Sequence, residues 1–113
     1  MDTPTDRDIE VTERPERYRY EITVDGQLAG IVAYDVVDDV TVMTHTVMQE
    51  AFDGQGFASI MVDRAIADVA ARGGAVAATC PFVRHWLSKN HQHDAAVVAL
   101  PEAIAGARLL EEL

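Results

Sequence analysis

The sequence predicts an α+β domain, a mixed sheet that opens with an antiparallel meander and runs in the order β-β-β-β-α-β-α, with an added C-terminal helix. Three observations predict it. Four segments with strand-like alternation or β-branched density fill the first half of the chain. A Gly-x-Gly turn at 54–56 then hands over to a long stretch of helical period. After that stretch a short apolar run, bounded by breakers, leads into a Cys-Pro pair that opens a second helix.

Each element has a local cause. Residues 1–8 (MDTPTDRD) are polar and breaker-rich and are expected to form a flexible N-terminus. Residues 9–12 alternate apolar with polar, as do residues 18–24 after the break at Pro15, and both fit half-buried strands. Asp25-Gly26 is a strong hairpin signal, so a third strand over 27–36 pairs with the second. Asp38-Asp39 makes the next turn, and residues 40–48 (VTVMTHTVM) are β-branched enough for a fourth strand. From Phe57 to Arg72 the residues Phe57, Ile60, Met61, Arg64 through its stem, Ala65, Val69 and Ala70 fall near one helical face, and Gly73-Gly74 ends the helix. Residues 75–79 (AVAAT) suit a buried strand, Pro81 opens a helix over 82–90, residues 91–94 form a loop, and residues 101–113 read as a terminal amphipathic helix. The expected organisation is one domain over 9–95 followed by a helical extension over 96–113.

Composition bounds what such a domain does. With 113 residues, 49% apolar and 25% charged, the chain is one globular domain with a single core. No apolar run approaches the ~18 residues of a membrane span, and the N-terminus lacks a basic start followed by an apolar run. A cytoplasmic protein without a membrane partner is expected. One cysteine, Cys80, permits no internal disulfide and no multi-cysteine zinc site. The net charge of -10 with one lysine argues against nucleic-acid binding, which demands clustered Lys and Arg. The charge is uneven: residues 1–54 hold 13 acids against 4 bases, whereas residues 55–93 hold 2 acids against 4 bases.

That one net-positive segment opens at Gly54-Gln55-Gly56-Phe57-Ala58-Ser59, between a strand and a long helix. The first N–H groups of a helix lack intrahelical partners, and the helix dipole adds attraction for anions. Glycines at 54 and 56 permit positive φ and close approach of the backbone, and Ala58 and Ser59 are small enough to leave room. A pyrophosphate cradle and a purely structural turn into the helix both fit this pattern.

At these residues the chain resembles a known family. His45-Thr46, then Gly54-Gln55-Gly56-Phe57-Ala58-Ser59, a helix, a short strand and Cys80-Pro81-Phe82 resemble the GNAT superfamily of N-acetyltransferases, and within it the short branch called YjdJ-type. The resemblance covers roughly residues 9–95 and implies a GNAT-like sheet binding acetyl-CoA as co-substrate. In the superfamily a Gln/Arg-x-x-Gly-x-Gly/Ala loop holds the CoA pyrophosphate. Gly56 and Ala58 match that pattern, whereas Asp53 stands where Gln or Arg is usual and brings a carboxylate toward the expected phosphates. The resemblance also implies that the strand before the loop splays from its neighbour and binds the pantetheine arm through its backbone, at Val47 and Met48. After Cys80-Pro81-Phe82 the branch tends to a His-Pro-Glu-Tyr-like stretch, where this chain reads Asn90-His91-Gln92-His93.

The catalytic candidates are Cys80 and His45. A cysteine at the N-cap of the helix that Pro81 opens faces unpaired N–H groups, which favour its thiolate and lower its pKa. Three readings are open: Cys80 accepts the acetyl group, it lines the thioester pocket, or it is a small buried hydrophobe. His45, on the fourth strand, has the titration range of a general base for the amine, and the resemblance places a His-Thr there; a structural cross-strand histidine is the other reading. Glu50 is a further candidate base. His85, His91 and His93 have no helical i,i+4 pairing, so no metal site is expected of them; they are expected to face solvent or the nucleotide. Phe82 and Trp86, four apart, are expected in the core.

The sequence thus predicts an acetyl-CoA-dependent N-acetyltransferase acting on a small-molecule or protein amine, with no metal. A noncatalytic acyl-CoA-binding or protein-interaction module is the alternative.

Overall fold

The computed structural model describes residues 7–103. The elements follow the expected order: β1 (Ile9–Arg14), β2 (Arg19–Val24), β3 (Gln27–Val37), β4 (Val40–Met48), α1 (Phe57–Ala71), β5 (Ala75–Ala78) and α2 (Pro81–Lys89). Most of the helix expected over 101–113 and of the flexible terminus expected over 1–8 lies outside the described residues. The sheet has the spatial order β1-β2-β3-β4-β5, antiparallel through β4, with β5 parallel to β4 because α1 crosses over between them.

Both hairpins close through residues of positive φ. Asp25 (φ 51°) and Gly26 (φ 82°) turn β2 into β3, and Asp38 (φ 51°) and Asp39 (φ 64°) turn β3 into β4. Two consecutive left-handed residues match the right-handed twist of the flanking strands, which is why Asp and Gly occupy these turns. Two bulges interrupt the ladders. Ala29 is the extra residue of β3 against β2, and Thr44 is the extra residue of β4 against β3. The second bulge inverts the alternation of β4, so that Met43, Thr46 and Met48 share one face while Val42, His45 and Val47 share the other.

The core lies on the first of these faces, under the helices. Tyr20, Ile22, Val24, Val32, Tyr34 and Met43 of the sheet pack against Phe57, Met61, Val62, Ala65, Ile66 and Val69 of α1 and Val83 and Trp86 of α2. The buried stripe of α1 includes Val62 and Ile66, where the sequence pointed to Arg64 and Ala70: Arg64 turns outward and its guanidinium donates to the Ile9 carbonyl. The helix ends as expected. The Gly73 N–H donates to Ala70 O and the Gly74 N–H to Val69 O, a Schellman arrangement with Gly73 at φ 75°.

The far ends of β1 to β3 are tied to α1 by a polar network. The Tyr20 hydroxyl donates to Asp68, Arg72 reaches Tyr20, Asp68 and Glu13, and the Tyr34 hydroxyl donates to Glu13. Burial, followed by these carboxylate bonds, pushes both phenols above their ordinary range and keeps them neutral.

On the opposite face, which carries no helix among the described residues, Glu21 is a buried charged residue, 9% exposed. Arg19 donates to its carboxylate through Nε and Nη2 (2.9 and 2.6 Å) and Arg14 through Nε (3.2 Å). The Arg19 bonds first, then that of Arg14, hold the Glu21 carboxyl below the usual carboxylate range. A depressed folded value means that this stability is complete above the unfolded value, roughly pH 4.3, and is lost as pH falls through the folded one. Glu21→Gln is therefore expected to cost about 1–2 kcal/mol at pH 7, with the gap to wild type closing below about pH 4.3; thermal melts between pH 7 and 2 measure it.

Candidate functional site

The site forms where β4 and β5 part. Their parallel pairing runs from Val40↔Ala75 to Met43↔Ala78 and stops. At that point the Met43 carbonyl accepts from the N–H of both Thr79 (3.0 Å) and Cys80 (3.1 Å). Beyond it the chain after β5 turns into α2, while β4 continues through residues 44–48 paired to β3 alone. One flank of β4 is thus left without a strand partner among the described residues, and its main-chain groups are open to another hydrogen-bonding chain.

Met48 at the end of this flank is placed by a glycine. Gly30 sits opposite Met48, and a Cβ there would run into the Met48 sulfur and come within 2.8 Å of the Val47 carbonyl oxygen. A glycine inside a strand signals such a close approach, and here it seats the thioether over the backbone.

The turn from β4 into α1 passes through Glu50–Phe52 and then Asp53, Gly54, Gln55 and Gly56. Phe52 and Phe57, both buried with ring centroids 6.0 Å apart, anchor the two ends of the loop in the core. Between them Gly54 (φ 76°) and Gly56 (φ 87°) take left-handed conformations, and an added Cβ on either would meet nothing within 4 Å. Gly56 is the N-cap of α1 and brings no side-chain cap, so the first N–H groups of the helix point outward unsatisfied by side chains. Met48, Phe52, Asp53, Gly54, Gly56, Phe57, Ala58, Ser59 and Phe82 line a recess of ≈ 190 Å³ at this spot. Gln55 turns away from it and donates through Nε2 to the Ala51 carbonyl.

Asp53 does not turn fully clear of the loop. Its Oδ1 accepts from the Gly54 N–H at 3.0 Å, occupying one donor that an incoming anion would otherwise use.

Cys80 is the N-cap of α2, as the sequence predicts, and is buried. Its sulfur makes no capping bond to the helix; it lies 3.3 Å from Thr46 Oγ1 and so bridges the parting strands on the core face. His45 stands on the other face, exposed, opposite Ala33 and without a side-chain hydrogen bond among the described residues. The two catalytic candidates therefore lie on opposite sides of the sheet. Val47 shares the His45 face and is exposed. Glu50 is also exposed, in the short turn after β4.

The remaining aromatic and histidine residues differ from expectation in two places. Trp86 is buried in the core, but Phe82 is 37% exposed and stands at the recess rim. His93 is neither solvent-facing nor beside the loop: it stacks on Trp86 and its Nε2 lies 2.7 Å from Asp63 of α1, clasping the two helices. His85 and His91 are exposed, the latter beside Asp94. Among the described residues no group of three metal-ligating side chains forms, and no helix is long and apolar enough to cross a membrane.

A splayed pair of parallel strands leading into an uncapped Gly-x-Gly helix start is the decisive arrangement, and a family model described as GCN5-related N-acetyltransferase matches residues 19–97. The chain belongs to that family. Acetyl transfer is the family's chemistry, with acetyl-CoA as its donor. Among solved structures, a GCN5-like protein from Staphylococcus aureus superposes with a TM-score of 0.62 at 18% identity, covering 81% of this chain and 90% of that one. A ribosomal-protein-alanine N-acetyltransferase from Brucella melitensis biovar Abortus 2308 gives a TM-score of 0.52 at 17% identity, covering 63% of this chain and 60% of that one. At these identities the likeness is one of fold, and the chain spans less than two thirds of the Brucella enzyme. A search of curated proteins gives no match.

Asp53→Asn removes a negative charge beside the loop while keeping an acceptor for Gly54. A unit charge a few ångströms from a phosphate in a solvated site is worth about 1 kcal/mol, so the variant is expected to bind acetyl-CoA about fivefold more tightly at low salt, with the advantage shrinking as salt rises; calorimetric titration at two salt concentrations reads both effects.

Proposed function

We propose that the protein transfers the acetyl group of acetyl-CoA to the nitrogen of an amine. The observation that carries this reading is the continuous path from the free flank of β4 to the uncapped start of α1. It joins main-chain donors and acceptors suited to a pantetheine arm with N–H groups suited to a pyrophosphate.

The residues present fit the donor. Gly54 and Gly56 leave open space, Ala58 and Ser59 are small, and the recess reaches Met48 and Phe82. The pyrophosphate lies on the N–H groups at Gly56 to Ser59, the arm runs along Val47 and Met48, and the thioester comes near Thr46 where the strands part. The acceptor nitrogen approaches from the face of β4 opposite α1 and α2. There His45 is exposed and has no competing side-chain partner among the described residues, which favours a base over a structural histidine.

In the transfer the nitrogen attacks the thioester carbonyl carbon, a C–N bond forms and the C–S bond breaks. The acceptor attacks as the neutral amine, its ammonium proton already lost to solvent; as the C–N bond forms a second proton passes from the nitrogen to His45, and the CoA thiolate leaves. A β4 main-chain N–H near Val47 is suited to hold the developing oxyanion. Cys80, on the core face and beside Thr46, fits pocket lining better than an acetyl-accepting nucleophile, because its sulfur is buried and faces away from the side on which the amine arrives.

Calorimetry with acetyl-CoA tests the reading. Wild type is expected to show saturable binding, which Gly56→Asp abolishes by filling the recess with bulk and negative charge; binding retained in that variant would remove the loop from the site. His45→Gln is expected to lower kcat by about 10²-fold, the usual worth of a general base, while leaving the acetyl-CoA titration unchanged. Donor binding without turnover of any amine would identify a noncatalytic acyl-CoA-binding module instead.

A further inference from the structure

On the face of the sheet opposite α1 and α2, two rows of side chains cross in register. One runs Arg14, Arg19, Ala33, His45, and the next runs Thr12, Glu21, Ile31, Val47. His45 therefore shares a row and a face with two arginines, with the small Ala33 between. Arg19 and His45 sit two strands apart, roughly 9.5 Å between backbones, with a small residue between them as the floor of a trough.

The charge in this trough exceeds what structure requires. Glu21 is neutralised by Arg19, which already binds it through two nitrogens. Arg14 adds a second guanidinium through Nε only, its side chain is 48% exposed, and its Nη atoms make no hydrogen bond among the described residues. The three groups sum to a net positive charge in a half of the chain that holds 13 acids against 4 bases. The exposed Asp35 follows Ala33 on the same face of β3, opposite Val42 of β4. The trough is thus cationic at its β1 and β2 end and has His45 at its β4 end.

From this arrangement we infer that the acceptor is a small amino-carboxylate, its carboxylate on Arg14 and Arg19 and its amine at His45. The inference rests on the acetyltransferase reading and adds to it the chemical class of the acceptor. Free amines arrive as ammonium ions, which the arginine pair repels. An acceptor with a carboxylate converts that repulsion into a charge-assisted contact with a planar fork. The span of about two strand spacings, roughly 9.5 Å before the side chains extend, matches an amine and carboxylate within one molecule the size of a diamino or ω-amino acid.

Matched pairs of acceptors test it in the wild-type protein, with release of the CoA thiol as the readout: lysine against cadaverine, ornithine against putrescine, and γ-aminobutyrate against propylamine. The carboxylated member of a pair is expected to have at least tenfold higher kcat/KM, mostly through KM. In Arg14→Gln that ratio is expected to fall at least threefold as KM for the carboxylated member rises. Arg19→Gln with Glu21→Gln, which leaves no unpaired buried charge, is the second variant and is expected to shrink the ratio in the same direction. Equal turnover of both members, turnover of neither, or a ratio untouched by both variants overturns the inference. Calorimetry on the same preparation separates the two levels: without acetyl-CoA binding the acetyltransferase reading itself fails, whereas binding with no carboxylate preference sinks the acceptor class alone.

Discussion

One carbonyl decides the architecture of the site. Met43 O takes the N–H groups of both Thr79 and Cys80, and in doing so ends the β4–β5 ladder. A parallel ladder normally spends each carbonyl on one partner and proceeds. Here the double acceptance turns the chain after β5 out of the sheet and into α2, while β4 runs on along β3. The free flank, the bridge from Thr46 to Cys80 and the access to both faces of β4 all follow from that parting.

Around it the fold is arranged so that rigid elements present main-chain groups. The loop is pinned at both ends by Phe52 and Phe57, α1 is capped firmly at Gly73 and left uncapped at Gly56, and Met48 is laid over Gly30. His93 and Asp63 fasten α2 to α1, which fixes the recess wall that Phe82 forms. Buried aromatic surface and short polar clasps hold the geometry, and the groups left over are backbone N–H and C=O.

Much of this was legible in the sequence because the signals are local. Asp25-Gly26 and Asp38-Asp39 announce hairpins, Gly73-Gly74 ends a helix, and Cys80-Pro81 starts one, each through the φ that those residues permit or impose. The Gly54 to Ser59 segment was legible for the same reason. What sequence reasoning missed depends on registers that no local pattern carries. The bulge at Thr44 changes which residues of β4 look inward, so His45 and Cys80, both singled out as chemical groups, fall on different sides. The clasp of His93 with Asp63 links residues thirty positions apart. Gly30 does leave a signal, as a glycine within a β-rich run, but the side chain that approaches it comes from another strand and is not visible locally. Phe82 and Trp86 share a helical face, yet α2 sits at the sheet margin, so one is covered and the other is not.

The extra residue at Thr44 also bears on how related chains are compared. A strand with one bulge has two reading frames, and a gapless alignment with an unbulged strand is correct on one side of position 44 and inverted on the other. Residues 45–48 of this chain correspond by face, not by count, to those of such a relative. A histidine aligned by number alone would be credited to the wrong surface of the sheet, and an insertion or deletion of one residue near this point relocates a side chain more drastically than any substitution does.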